Sequence, residues 1–400
     1  MKFILSDRIN NMEESATLAM AKKARELKTQ GVDIIGLSLG EPDFKTPKYI
    51  QEAAKAAIDE GKYFSYPPVA GYQDLREAIA KKLRDDNHIN EAKAENIVVS
   101  TGAKHSIANV FMCLINDGDE VVIFSPYWVS YSEIIKLAGG VPVLISGNLE
   151  NNFKATAQQL KEAITDKTKA VIYSSPCNPS GSVFSRKELE AIAEVVKEKE
   201  NLIVIADEIY ELINFTGQHF SIAAFPGMFE RTITVNGFSK GYAMTGWRVG
   251  YICAPLPMAK ACEKIQGQFT SGGTGIAQRA ALAGLTGDQT PTAEMAKAYL
   301  NRRDLVLELL QEIPGIKTHV PEGAFYFFPD VSEFFGKSAG NQKVNNADDF
   351  CLYILNEANV SLVTGEAFGA PDSIRLSYAA SEEELKEALD RMKKALAKLK

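Results

Sequence analysis

From about residue 95 the chain alternates short apolar runs with longer stretches of helical periodicity. The runs read NIVVS, EVVIFSP, VPVLIS, KAVIYSSP, LIVIADE, RTITVNG and RVGYICAP. Unbroken Val/Ile runs, without a polar residue at every second position, are strands buried on both faces. The pattern therefore predicts an α/β fold whose mostly parallel, seven-stranded sheet is covered by helices. Thr156 with Gln159 and Ser185 with Glu188 carry the spacing of reciprocal helix caps and mark two of the helix starts. Upstream, Ser15 to Gln30 has helical periodicity (Leu18, Ala21, Leu27) and stops at Gly31, and IIGLSL follows as a short strand running into GEPDF. Thr46-Pro47 opens the next helix, with the threonine as cap, and Gly61 closes it. Beyond a long polar helix over about 291–312, the segments EGAFYFFPD, SLVTG and SIRLSYA and a closing helix from near Ser381 predict a smaller α+β unit. The expected division is a large domain over 47–290 and a small one built from 1–46 with 291–400.

Length and composition agree and remove several function classes. A chain of 400 residues exceeds what one core usually serves. A net charge of −7 offers no positive field for nucleic acid. No apolar run is long enough to span a bilayer, and the apolar stretch in MKFILSDRINN is too short for a secretory signal. The five cysteines are scattered and never form a C-x-x-C pair, which suits a reducing, cytoplasmic setting. The four histidines show no metal-ligand spacing, so no metal is expected.

In open α/β sheets ligands bind beyond the carboxyl ends of the strands, so the residues after each run are the candidates. NIVVS is followed by Thr101, Gly102, Ala103 and Lys104 and then an apolar helix, whose free N–H groups and dipole suit a phosphate; alone, the glycine equally fits a tight turn. Trp128 after EVVIFSP could stack on a planar ring or pack in the core. Asn178 follows KAVIYSSP in a Pro-Ser-Gly turn. Asp207 ends LIVIADE, with Tyr210 close behind, and a carboxylate at the end of a buried strand needs a cationic partner. Ser239, Lys240 and Arg248 follow RTITVNG. Together these residues fit pyridoxal 5′-phosphate (PLP) chemistry. Lys240 would hold the cofactor as a covalent imine and move the reacting proton, Asp207 would keep the ring nitrogen protonated, and Tyr210 and Asn178 would hydrogen-bond the ring oxygen. Arg248 and the 102–104 backbone would hold the phosphate.

SSPCNPSG, IADEIY and NGFSKGYAMTGWRVGY, in this order and spacing, resemble the class I (fold type I) PLP-dependent aminotransferases, and the likeness runs from LSLGEPDF to IRLSYA. The resemblance implies that the Gly40 backbone and the Arg375 fork bind the substrate α-carboxylate. It implies that Trp128 stacks on the cofactor and that Tyr66 reaches the phosphate of a neighbouring subunit in a homodimer. One position departs: many relatives place a phosphate-binding Ser or Thr where Gly237 stands, and Ser239 is the substitute. Within the family the chain resembles the bacterial aspartate and aspartate/prephenate branch, in which a lysine and a threonine at the positions of Lys104 and Thr17 read the distal carboxylate. The implied reaction is L-aspartate plus 2-oxoglutarate giving oxaloacetate plus L-glutamate. The alternatives are prephenate, aromatic or other amino-acid aminotransfer, and a non-transaminating PLP lyase. A PLP-binding regulator would need a DNA-binding unit that the first 46 residues do not suggest, and a nicotinamide dehydrogenase would need a G-x-G-x-x-G that no early strand precedes.

Overall fold

The computed structural model describes residues 3–14 and 16–400. All seven apolar runs become strands of one sheet: β1 Ile97–Ser100, β2 Glu120–Ser125, β3 Val141–Ser146, β4 Thr168–Ser174, β5 Ile203–Asp207, β6 Thr232–Gly237 and β7 Gly250–Cys253. Their order across the sheet is β1-β7-β6-β5-β4-β2-β3. Strands β2 to β6 pair in parallel, whereas β7 runs antiparallel to both β6 and β1. The reversal follows from the connection. Between β6 and β7 lies only one 3-10 turn, Thr245–Trp247, and a parallel return needs a full crossover.

Both faces of the sheet are covered. Ile123, Ile172, Ile205 and Ile233 pack beneath the helices Ala103–Leu114 and Leu256–Phe269. Their neighbours Val122, Val171 and Val204 point the other way, into a core shared with Arg186–Lys197. Successive side chains of these inner strands thus enter opposite cores, and β2, β4 and β5 read as unbroken apolar runs. At the sheet edge β3 is instead half exposed, with Val141 and Leu144 facing solvent.

The smaller unit forms around Phe325, Phe327, Phe350 and Leu376. Its three-stranded antiparallel sheet runs Val363–Thr364, Ile374–Ser377, Tyr326–Phe327. The early strand Ile35–Gly36 pairs in parallel with Val360–Ser361, which ties the N-terminal segment to this unit. Helices Thr290–Gln311, Ala347–Ala358 and Glu382–Leu396 pack against it, the last burying Leu385, Leu389, Met392 and Leu396 on one face.

Capping boxes stand at Thr156, Ser185 and Ser381. The first long helix is Ala16–Thr29; its expected first residue, Ser15, lies outside the described residues. Thr46 is not a cap. The helix is Lys48–Asp59 with Pro47 at its N-cap, while the Thr46 hydroxyl donates to the Ala243 carbonyl at 2.6 Å and accepts from Trp247 Nε1 at 2.9 Å. A tertiary partner has outcompeted the local one. Among the described residues, no helix is long and apolar enough to cross a membrane.

Candidate active site

A cavity of about 700 Å³ opens at the carboxyl edge of the large sheet, where the smaller unit meets it. Lys104, Trp128, Asn178, Tyr210 and Lys240 line it from the segments that follow β1, β2, β4, β5 and β6, and Asp207 from the last position of β5. Because β7 is reversed, its beginning faces the same edge, and Arg248 just before it joins the lining. Gly40, Arg375 and Thr17 enter from the other side, and Ala103 and Ser239 complete the expected set. Gly102 sits just behind, as the N-cap of Ala103–Leu114. Tyr66 does not line the cavity; it is 93% exposed.

Asp207 is the floor. It is buried at the end of β5, with Oδ2 accepting from the Tyr131 hydroxyl at 2.6 Å and Oδ1 from the Ile209 N–H at 3.2 Å. Burial pushes its carboxyl up to about 6, against the pull of these two donors and of Lys240. Burial likewise pushes the Lys240 ammonium down to about 8, helped by Arg375 and Arg248 and opposed by Glu41 and Asp207. The Lys240 amine donates to the Gly40 carbonyl and lies 5.6 Å from the Tyr210 ring centre. Among the described residues Asp207 and Lys240 form no ion pair, although both face one cavity.

Arg375 is the second buried charge, 2% exposed and with no carboxylate partner among the described residues. Its Nη1 donates to Asn178 Oδ1 at 2.9 Å and its Nη2 to the Ser38 carbonyl at 2.7 Å, while Nε has no partner. The guanidinium lies 4.6 Å from the Tyr326 ring and 5.0 Å from Phe368. A guanidinium held this rigidly, and offered only neutral acceptors, is suited to a carboxylate arriving from outside.

At the other end, Gly102 adopts φ 83°, and a Cβ there would strike the Arg248 guanidinium. The glycine lets Arg248 lie against the start of a helix whose first N–H groups have no intrahelical acceptor. Gly237 also has a reason: it stands opposite Gly250 in the sheet, and a Cβ would meet the Gly250 Cα at 2.8 Å and the Val249 carbonyl at 2.9 Å. No Ser or Thr fits there, and Ser239, two residues on, brings a hydroxyl to the cavity wall. Lys104 lies 4.8 Å over the Trp128 ring, its ammonium pushed down by burial and by Arg248.

The sequence reading missed Tyr131, Tyr326 and Glu41. Tyr131 and Tyr326 sit in apolar patterns that read as core, and only their hydroxyl contacts distinguish them. Glu41, in GEPDF, is an exposed acid at the cavity wall. Behind Asp207 a further group gathers: Glu208, Glu211 and His219 bring their ligand atoms within 4.8 Å of one another. The Lys82 ammonium pairs with Glu211, and Asn87 and Ser221 bond the carboxylates, so this cluster is knit by its own charges. Its two acids and its histidine lie within one short stretch of chain, but Lys82 and Asn87 come from a remote helix and the segment after it, which no local spacing reveals.

Comparison with known proteins agrees with this geometry. The family model for class I and II aminotransferases matches residues 32–392. An aspartate aminotransferase of Bacillus sp. (strain YM-2) is 45% identical over 98% of this chain and 99% of its own. A probable aspartate/prephenate aminotransferase of Rhizobium leguminosarum bv. phaseoli is 44% identical over 98% of each. The structure of the Thermus thermophilus aspartate aminotransferase with maleate superimposes with a TM-score of 0.92, at 40% identity, covering 98% of this chain and 100% of that one. The family model and these relatives place the chain among enzymes of amine transfer. The chain belongs to the class I and II aminotransferase family.

Proposed function

We propose that the chain is a PLP-dependent aspartate aminotransferase, converting L-aspartate and 2-oxoglutarate to oxaloacetate and L-glutamate. One observation carries the reading: Asp207 and Lys240 face a common cavity without pairing, while the buried Arg375 beside them has no anion of its own. The donor set fits PLP at each of its ends. The Gly102 cradle with Arg248 suits a phosphate, and Asp207 suits a protonated ring nitrogen. When bound, that cofactor supplies an aldehyde that captures amines and a cationic ring that takes up the Cα electron pair. Lys240 would be the residue to hold it, and its amine the group to carry a proton to and from the substrate Cα. An amine brought down to about 8 is largely protonated at neutral pH yet needs little energy to release its proton. Asp207 keeps the ring nitrogen protonated. Tyr210 and Asn178 would bond the ring oxygen, Trp128 would stack on the ring, and Ser239 would assist Arg248 and the 102–104 backbone at the phosphate.

For the substrate, Arg375 and the Gly40 backbone grip the α-carboxylate, and Lys104 with Thr17 reads the distal one. Support comes from the shared lining and from the Thermus relative's structure with a dicarboxylate, maleate. Tyr66, exposed beside the 67% exposed Phe64, would reach the phosphate in a second copy, making a homodimer with shared sites. The working units are 47–290 and 1–46 with 291–400. Five free thiols support a cytoplasmic setting. The test is direct: the purified chain, mixed with L-aspartate and 2-oxoglutarate, should produce glutamate, and borohydride should bleach its yellow colour with the label on Lys240. Consumption of another amino acid without glutamate would move the assignment to a lyase. Prephenate is a second acceptor to assay, because Leu18 and Leu39 give the cavity an apolar rim and the Rhizobium relative carries that name.

A further inference from the structure

The carboxyl of Asp207 has more than one state open to it, and something must choose between them. Facing it are Lys240 from the loop after β6, Tyr210 and Glu208 from its own segment, Cys177 from the loop after β4, and Tyr131 from the helix Ser130–Leu137. Only Tyr131 and the Ile209 N–H donate hydrogen bonds to it among the described residues, and the Tyr131 contact is the short one, 2.6 Å against 3.2 Å. Tyr131 is 1% exposed, and its hydroxyl keeps its proton, since burial and the neighbouring Asp207 raise it well above the ordinary tyrosine value. Toward the ionised carboxylate, which has no proton to give, it can therefore only donate, to Oδ2. Its ring meets Trp128 edge-on at 5.6 Å and 88°, so one turn of chain fixes both the aromatic plate and the phenol.

We propose that Tyr131 is a positioning residue of the reaction: by donating to Oδ2 of Asp207 it keeps that carboxyl anionic and turned toward the ring nitrogen, and so holds the shared proton on the ring. This rests on the PLP reading of the cavity. The balance is a single proton between two acceptors. A donor on the carboxylate favours a carboxylate beside a protonated ring; without the donor, the proton moves onto the carboxyl and the ring becomes neutral, a poor sink for the Cα electron pair. A tyrosine that merely fills space would be replaced by phenylalanine without this consequence.

The experiment uses the holoenzyme carrying PLP labelled with ¹⁵N in the ring. In Tyr131→Phe the ring-nitrogen resonance should move toward the unprotonated position, with kcat down roughly tenfold and KM within about twofold. An unmoved resonance in a folded Tyr131→Phe overturns the proposal. Tyr131→3-fluorotyrosine keeps the shape and donates more strongly, and should shift the resonance the opposite way. If the phenylalanine variant does not fold, an unshifted resonance in the fluorinated protein is the overturning result. If the wild-type chain takes up no PLP, the parent reading fails by itself. The contact is then read in the full chain by ¹³C titration of Asp207, whose midpoint near 6 should rise by about one pH unit or more in Tyr131→Phe. An unchanged midpoint would refute the role.

Discussion

The hydroxyls of Tyr210 and Tyr326 lie 2.6 Å apart, one from the segment after β5 and the other from the small antiparallel sheet. This bond crosses the seam that forms the cavity. Gly40, from the N-terminal segment, closes the triangle, because a Cβ on it would strike the Tyr326 hydroxyl. Three separate parts of the chain therefore meet where the α-carboxylate is proposed to bind.

Gly40→Ala should accordingly displace Tyr326 and cost about 1–3 kcal/mol of stability, as overpacking in a filled site does. Tyr326→Phe removes the struck oxygen, so the double variant should recover part of that loss. Urea unfolding of both single variants and the double variant gives the coupling energy. Strict additivity would mean that the two residues do not press on each other.

The opposed titrations of Asp207 and Lys240 give a stability signature in the cofactor-free chain. Asp207 stands at about 6 when folded against an ordinary 3.8, so between these values the folded chain holds the extra proton. Its penalty is absent in acid and complete above pH 6. Lys240 stands at about 8 against 10.5, so there the unfolded chain holds the extra proton, and the penalty is complete below pH 8 and fades as pH rises. At pH 7 both costs apply in full. Asp207→Asn and Lys240→Met should each stabilise the chain at pH 7 by on the order of 1–3 kcal/mol. The Asn gain should shrink as pH falls from 6, and the Met gain as pH rises from 8. Denaturation series across pH 5–9 decide it; variants less stable than the parent at pH 7 would contradict the account.

The inner strands β2, β4 and β5 were legible because they are buried on both faces, so their apolar residues run unbroken. The edge strand β3 is half exposed, and β6 alternates its apolar residues with the buried Thr232, Thr234 and Asn236. Strand order and the reversal of β7 were not legible, since they depend on which connections are too short to cross over. The same limit applies within the site. Lys240, Asp207 and Arg248 could be found from strand ends, but Tyr131 and Tyr326 act through single oxygens on otherwise apolar rings, and no periodicity marks an oxygen. Gly237 shows the reverse case. The sequence marks a missing hydroxyl, and only its pairing with Gly250 explains why none fits. Gly237→Ser should therefore lower the melting temperature by several degrees without tightening PLP binding. Tighter PLP binding would show that the sheet yields and that space was not the constraint.

Arg375 offers its two terminal nitrogens to Asn178 and Ser38, at 2.9 and 2.7 Å, in a fixed plane. Lysine retains the charge but cannot present two parallel N–H groups, and its shorter head would leave one of these acceptors unbonded. Arg375→Lys should lower kcat/KM roughly 10²-fold for every amino acid and oxo acid alike, because all carry the α-carboxylate. Steady-state kinetics with aspartate and with phenylalanine check this. A loss confined to aspartate would place Arg375 at the distal carboxylate.

Lys104 makes the complementary case. Its ammonium lies against Trp128 in the same cavity, away from any carboxylate partner among the described residues, and burial with Arg248 nearby already weakens its hold on the proton. A distal substrate carboxylate would relieve both penalties at once, whereas a neutral side chain would relieve neither. Lys104→Ala should therefore cut kcat/KM for aspartate and 2-oxoglutarate by roughly 10- to 100-fold and change that for phenylalanine by less than about threefold. The ratio between substrates carries the information, since damage to the nearby phosphate seat would depress all of them together. Equal losses across the panel would assign Lys104 to the cofactor and leave the distal carboxylate to Thr17 or to residues of a second copy.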